Sequence, residues 1–215
     1  MTLLAAPEKP QRLAAADWIG AALDMLKTSG LDAVQITTLA KRLSVTRGSF
    51  YWHFESREDL LAALVAEWRA RNTGVMVEAI RDIDTLDNGV LALFSVWVDH
   101  TRFDARLDQA IRDWARRDTD LLETVKLEDD ARVAAIAKLY AAHGYPESEA
   151  FIRARVIYFT QISFYALRVE DDENMAQRLG YLEEYFRCFT GRDIDPQICA
   201  AYREAQLKGQ TDDNA

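Results

Sequence analysis

Residues 47–54 read RGSFYWHF: a guanidinium, a position with no side chain, a hydroxyl, a phenol, an indole and an imidazole, interleaved with two phenylalanines. No acid stands among them. Groups of this kind suit a polyanion, because hydroxyl, phenol and imidazole can hydrogen-bond to phosphate oxygens, arginine can reach past them, and glycine permits close approach. They do not suit catalysis. The rest of the chain adds no Ser/His/Asp order, HExxH, Gly-rich phosphate loop or paired acids on one face. Asp99 beside His100 has no second histidine four residues on, and Cys188 and Cys199 match no CxxC or zinc spacing. They read as reduced thiols; no metal or cofactor is expected.

The groups at 47–54 need a frame, and the preceding residues provide one. In ITTLAKRL, starting at Ile36, residues Ile36, Leu39, Ala40 and Leu43 share a helical face; SVT follows as a turn, then RGSFYWHF as a second helix. This is the punctuation of a helix-turn-helix over 36–54. At about 100° per residue, Phe50 and Phe54 fall together and pack inward with Leu39, Leu43 and Val45. Gly48, Ser49 and Trp52 then face outward, with Tyr51 and His53 on the flanks at phosphate height. A buried strand is the competing reading, but no partner strand is visible within the neighbouring residues. A purely structural hairpin would leave exposed Trp52 and Tyr51 unexplained.

Across the whole chain, four prolines and nine glycines punctuate 215 residues, and apolar residues recur at three- and four-residue spacing. The expected class is all-α, with no internal repeat. A helix over 14–29 carries the stripe Trp18, Ala22, Met25 and Leu26 and stops at Gly30. Ser56 and Asp59 form a capping box for a long helix whose weakest point is Asn72 to Gly74. Further helices are expected over 89–100, 104–117, 119–143, 147–169, 174–190 and 196–207. The organisation is a flexible arm (1–11), a three-helix DNA-binding domain (12–56), a larger helical bundle (57–207) and a disordered tail (208–215).

The formal charge is -9, which by itself opposes nucleic-acid binding. Its distribution points the other way. Residues 1–60 hold seven basic and seven acidic side chains, and 36–54 hold three basic and none acidic, so the acidic excess lies in the body. The runs Glu128-Asp129-Asp130 and Asp118-Thr-Asp120 read as solvated faces. No apolar run approaches the ~18 residues of a membrane span, and the opening MTLLAAPEKPQR lacks a signal peptide's apolar core, so a cytoplasmic protein without a membrane partner is expected.

From Trp18 to Leu61 the chain resembles the tetracycline-repressor (TetR) family of transcription regulators, through SGLDAV, ITTLAKRLSVTRGSFYWHF and REDLL. The resemblance implies base contacts from Thr37, Arg47 and Gly48, phosphate contacts from Ser49, Tyr51, His53 and Arg57, and Trp52 at the groove edge. It implies double-stranded DNA with a pseudo-palindromic operator as partner. Gln35 departs from the family's Thr or Ser cap, so the first motif helix is expected to start later, capped by Thr37. Ser44 replaces a common Gly in the turn, at a cost of about 1 kcal/mol if its φ is positive.

LDQAIRDWARRD followed by LEDDARVAAIAKLYAAHGY looks like a common version of the family's ligand-binding and dimerisation body. The body carries more aromatic surface than single amphipathic helices need. Trp97, His100, Trp114, Tyr140, Tyr158 and Gln161 are the candidates for a pocket holding a small, largely apolar effector. Segments 147–169 and 174–190 are apolar around much of their circumference, as expected of a two-fold homodimer interface. The leading expectation is a repressor released by a small molecule; an all-helical enzyme or a protein-binding adaptor is the alternative.

Overall fold

The computed structural model describes residues 13–212, which contain helices and no β-strand. The arm expected at 1–11 and the last three residues of the tail lie outside the described residues. The chain divides into two compact units, up to Ala66 and from Glu67 onward.

In the first unit, α1 (Ala15–Ser29) buries Trp18, Ala22, Met25 and Leu26, the stripe its spacing predicts. Gly30 ends it at φ 77°, a backbone state that glycine adopts without a Cβ clash. A 3₁₀ turn (Leu31–Ala33) leads to α2 (Ile36–Arg42) and α3 (Arg47–Phe50). Then α4 (Arg57–Trp68) begins with the reciprocal cap expected of its sequence. The Ser56 amide donates to Asp59 Oδ2 and the Asp59 amide to Ser56 Oγ, both at 3.1 Å.

The second unit opens where the long helix was expected to be weakest. The helix does not break there: Arg69–Gly74 widens to a π-helix and α5 (Val75–Ala79) continues. The single-turn π winding turns Asn72 and Thr73 inward, both buried. Next come α6 (Leu86–Val98), α7 (Ala105–Ala115), α8 (Thr119–Ala142), α9 (Glu147–Ala166), α10 (Met175–Gly180), α11 (Leu182–Thr190) and α12 (Pro196–Asp212). Thr85, Asp104 and Asp118 cap α6, α7 and α8 by accepting from amides three residues on. The four-residue link 143–146 folds α8 and α9 into a hairpin around which the core forms. Gly89 lets α6 approach it, since a Cβ there would lie 2.6 Å from Leu139 Cδ1.

Besides α6, which starts at Leu86 and not at 89, three boundaries differ from the sequence pattern. The helix expected over 174–190 is interrupted at Tyr181, where Leu182 and Leu179 both turn into the core. The one expected over 147–169 ends at Ala166, and Arg168 adopts a left-handed φ of 56°. The tail expected to be disordered from 208 is helical as far as Asp212.

The acidic run at 128–130 is not a solvated face. Glu128 is buried and accepts from Arg69 Nε at 2.6 Å, and Asp129 accepts from both Nη atoms of Arg112 at 2.9 and 2.6 Å. Only Asp130 is exposed. Asp118 likewise caps α8 and accepts from the Trp114 indole, so two of its lone pairs are used internally.

These contacts belong to a buried ionic network. Asp108 Oδ1 accepts from Trp68 Nε1 at 2.8 Å and from Arg132 Nη1 at 3.1 Å, and Asp108 Oδ2 from Arg112 Nε at 2.7 Å. Arg132, fully buried, also donates to Thr73 Oγ1 on the π-helix and to the Tyr158 hydroxyl. Burial acts to raise the Asp108 pKa, but the two guanidiniums and their hydrogen bonds outweigh it and hold the carboxyl below the ordinary range. Three acids (Asp108, Glu128, Asp129) and three arginines (Arg69, Arg112, Arg132) balance, which makes the burial tolerable.

Candidate functional site

The helix-turn-helix positions its side chains through a short chain of backbone bonds. The Val45 amide donates to Ala40 O at 2.9 Å, folding the turn back under α2, and Ser44 supplies the bend at φ 56°. The expected serine strain is therefore present. The later start of the first helix is not: α2 begins at Ile36, and Gln35 turns its amide back onto Asp32 O at 3.0 Å. Thr37 is one residue inside the helix and exposed, so it is not the cap.

Regular α-helix in the second element covers only Arg47–Phe50, shorter than the expected 47–54, and Tyr51–His53 form a turn. The inward pair survives this, because the Phe54 amide still donates to Phe50 O at 3.1 Å. The two rings stack at 5.3 Å, and Phe50 meets Trp18 edge-on at 5.2 Å. Phe50 is fully buried while Tyr51 is 53% and Trp52 79% exposed. Burying one ring and presenting the next two has no use in a hydrophobic core.

Arg47 and Gly48 are exposed beside these rings, and Ser49 and His53 are partly so. The structure thus brings Arg47, Gly48, Ser49, Tyr51, Trp52 and His53 together on one short element. Thr37 lies on α2 with Lys41, also exposed. Of the other basic groups, Arg42 pairs with Asp24 on α1 at 3.2 Å. Arg57, expected on phosphate, is otherwise engaged: Nε donates to Val34 O at 2.6 Å and Nη2 to Leu31 O at 3.1 Å. It braces α4 against the turn before α2, giving the Val34 carbonyl a donor and the Leu31 carbonyl, which already accepts from the Val34 amide, a second one.

The second unit contains a cavity of about 80 Å³ among α6, α9, α10, α11 and α12. Of the six expected pocket residues, Trp97 and Gln161 line it. The other four lie elsewhere. His100 is exposed beyond the end of α6, and Trp114 bonds to Asp118 at 3.2 Å on α7's own flank. Tyr140 is core, its hydroxyl donating to Phe189 O at 3.3 Å, and Tyr158 belongs to the ionic network, donating to Asp129 Oδ1 at 2.6 Å. An aromatic ring with one polar atom serves a saturated core as well as a pocket, so residue type could not separate them. The lining that the sequence did not single out includes Arg178, Glu173, Met175 and Tyr202. Among the described residues, no group of three or more His, Cys, Asp or Glu could hold a metal ion, and no helix is long and apolar enough to cross a membrane.

Residues 19–64 match the family model for bacterial regulatory proteins of the tetR family. The tetracycline repressor protein class A from transposon 1721 of Escherichia coli is 43% identical over 54 residues, 25% of either chain. The class G tetracycline repressor protein of Vibrio anguillarum is 38% identical over 65 residues, 30% of this chain and 31% of its own. The chain thus spans about a quarter to a third of the length of these curated relatives. Over the whole length the fold is similar to a TetR-family transcriptional regulator from Marinobacter aquaeolei VT8, with a TM-score of 0.66 at 15% identity, covering 90% of this chain and 98% of that one. The matched segment is the helix-turn-helix unit with its exposed Arg47 to His53 element, and over that segment the chain is similar to the tetR family of bacterial regulatory proteins.

Proposed function

We propose that the protein is a sequence-specific, DNA-binding transcription regulator, a repressor released by a small molecule. The observation that carries this is the exposure of Tyr51 and Trp52 next to a fully buried Phe50, in a segment with three basic groups and no acid. In that frame Arg47 and Gly48 meet base edges, Ser49, Tyr51 and His53 hydrogen-bond to phosphates, and Trp52 packs at the groove wall. Thr37, exposed on α2, joins the base contacts. Arg57 acts indirectly, by fixing the distance between α4 and the motif.

The functional form is a homodimer through α9 and α11. Phe151, Ile152 and Val156 on α9, Tyr185 on α11 and Tyr181 just before it are exposed apolar groups, a patch that a second copy would cover. A two-fold dimer implies a pseudo-palindromic operator with half-sites about 34 to 36 Å apart or a multiple of that. The effector site is the cavity beside Trp97 and Gln161. Gel retardation with fragments of the protein's own promoter region tests the reading. A specific, salt-sensitive shift supports it, and equal binding of promoter and random fragments overturns it.

A further inference from the structure

Six of the fourteen residues that line the cavity are aromatic. Phe94, Trp97, Phe164, Tyr185 and Phe189 line it, with Phe94 tilted against Trp97 at 6.1 Å and Tyr185 stacked on Phe189 at 5.7 Å. Flat rings placed around a narrow space fit a flat occupant. Two ionisable residues line the same cavity, Glu173 and Arg178, of opposite charge. Arg178 lies with its guanidinium carbon 4.6 Å from the centre of the Phe164 ring, a position that already gives the cation an attractive partner. The lining therefore carries no net formal charge.

One polar atom in the wall is unmet. Gln161 Nε2 is buried and has no hydrogen-bond partner. The Tyr165 hydroxyl beside it spends its own proton on Trp97 O. An amide nitrogen has two hydrogens to place and accepts none, so the missing partner is an acceptor. A buried donor without one is costly, and a ligand oxygen set opposite it removes that cost.

From the aromatic wall, the balanced charge and the unmet donor, we infer that the effector is a neutral, flat aromatic compound whose carbonyl oxygen accepts a hydrogen bond from Gln161 Nε2. The inference rests on the reading of a ligand-responsive regulator and adds the ligand's chemical class to it. The Gln161 amide selects the carbonyl; the rings of Trp97 and Phe164 select the flat body. A carboxylate of the same size is disfavoured because it gives up its hydration on entry and meets a lining whose two charges balance. A hydrocarbon of the same shape leaves Gln161 as it is now.

Three single-ring probes test this: acetophenone, ethylbenzene and benzoate, titrated against the full chain by NMR with the Trp97 indole signal as reporter. The wild-type protein should bind acetophenone about 10-fold more tightly than ethylbenzene, the size expected when a buried donor gains an acceptor. Benzoate should bind more weakly than acetophenone. Gln161→Leu, similar in volume and lacking the donor, should bring acetophenone and ethylbenzene to within about twofold of one another. Gln161→Asn, which keeps the donor, should retain a preference. Thermal melts confirm that each variant is folded. The inference is overturned if Gln161→Leu keeps the full preference, if benzoate binds tightest, or if no probe moves the Trp97 signal at millimolar concentration. DNA is absent from this titration, so the regulator reading stands or falls separately. Acetophenone that binds as described but leaves operator affinity unchanged refutes induction and not the ligand class.

Discussion

Gly48→Ala should make the protein more stable and a poorer DNA binder. Gly48 is exposed in α3 with a backbone that needs no positive φ, and a Cβ built there would meet only Thr46 Oγ1, at an ordinary 3.6 Å. Nothing inside the fold requires glycine. In a helix, glycine costs roughly 0.5–1 kcal/mol relative to alanine through the freedom it loses on folding, so the substitution should stabilise by about that amount. If the position faces base edges, the added methyl should hold the helix off the groove. The loss of one close base contact is worth about 1–3 kcal/mol, or roughly 5- to 150-fold in operator affinity. Gly20 provides the control: it is exposed in the middle of α1, about 200° around the helix from buried Trp18, and a Cβ there meets nothing within 4 Å. Gly20→Ala should give the same gain in denaturant midpoint with operator affinity unchanged by fluorescence anisotropy. Should Gly48→Ala be stabilised and still bind the operator as the wild type does, the groove-facing assignment is refuted. Should it be destabilised, the conformational reasoning is wrong.

Arg57→Ala leaves the Val34 carbonyl without its donor and takes one of two donors from Leu31, so it should destabilise the protein by about 1–3 kcal/mol in urea titration and weaken all DNA sequences alike. Ser44→Gly relieves a φ of 56° and should stabilise by about 1 kcal/mol in the same assay. Asp108→Asn removes the acid shared by two arginines and should cost roughly 3–5 kcal/mol. Because the folded Asp108 pKa is lowered, its contribution is present above the ordinary carboxylate range and lost as pH falls through the folded value. The wild type should therefore lose stability on acidification more steeply than Asp108→Asn. Val156→Glu, in the exposed apolar stripe of α9, should give a monomer by light scattering and lose operator binding.

The parts of the fold that depend on neighbours three or four residues apart were legible in the sequence. The stripe of α1, the Gly30 stop, the Ser56/Asp59 box and the Phe50/Phe54 pair all have this local logic, and each occurs where its spacing places it. The shortened α3 does not follow from the pattern, because the turn at 51–53 keeps the four-residue bond from Phe54 to Phe50 and so preserves the pattern while changing the helix. The ionic network was hidden for a different reason: its partners come from four separate elements, up to 59 residues apart for Arg69 and Glu128. One signal was available. Leu121, Val125, Glu128, Arg132, Ile136 and Leu139 recur at helical spacing and are all buried, so Glu128 and Arg132 stood on the apolar stripe of α8 and not on its polar face. Charges on such a stripe require partners inside, which composition alone does not reveal. The cavity lining is harder still, since α6, α9, α10, α11 and α12 each supply only part of it.

Selection from a random duplex library by the full-length protein, read by sequencing of the bound fraction, puts sequence-specific recognition by the Arg47 to His53 element to its most direct test. Enrichment of one pseudo-palindrome is the expected result, with Arg47→Ala relaxing the preference at particular base pairs in both half-sites. A bound pool with the composition of the input, or an enriched site that Arg47→Ala and Gly48→Ala leave unchanged, would contradict it.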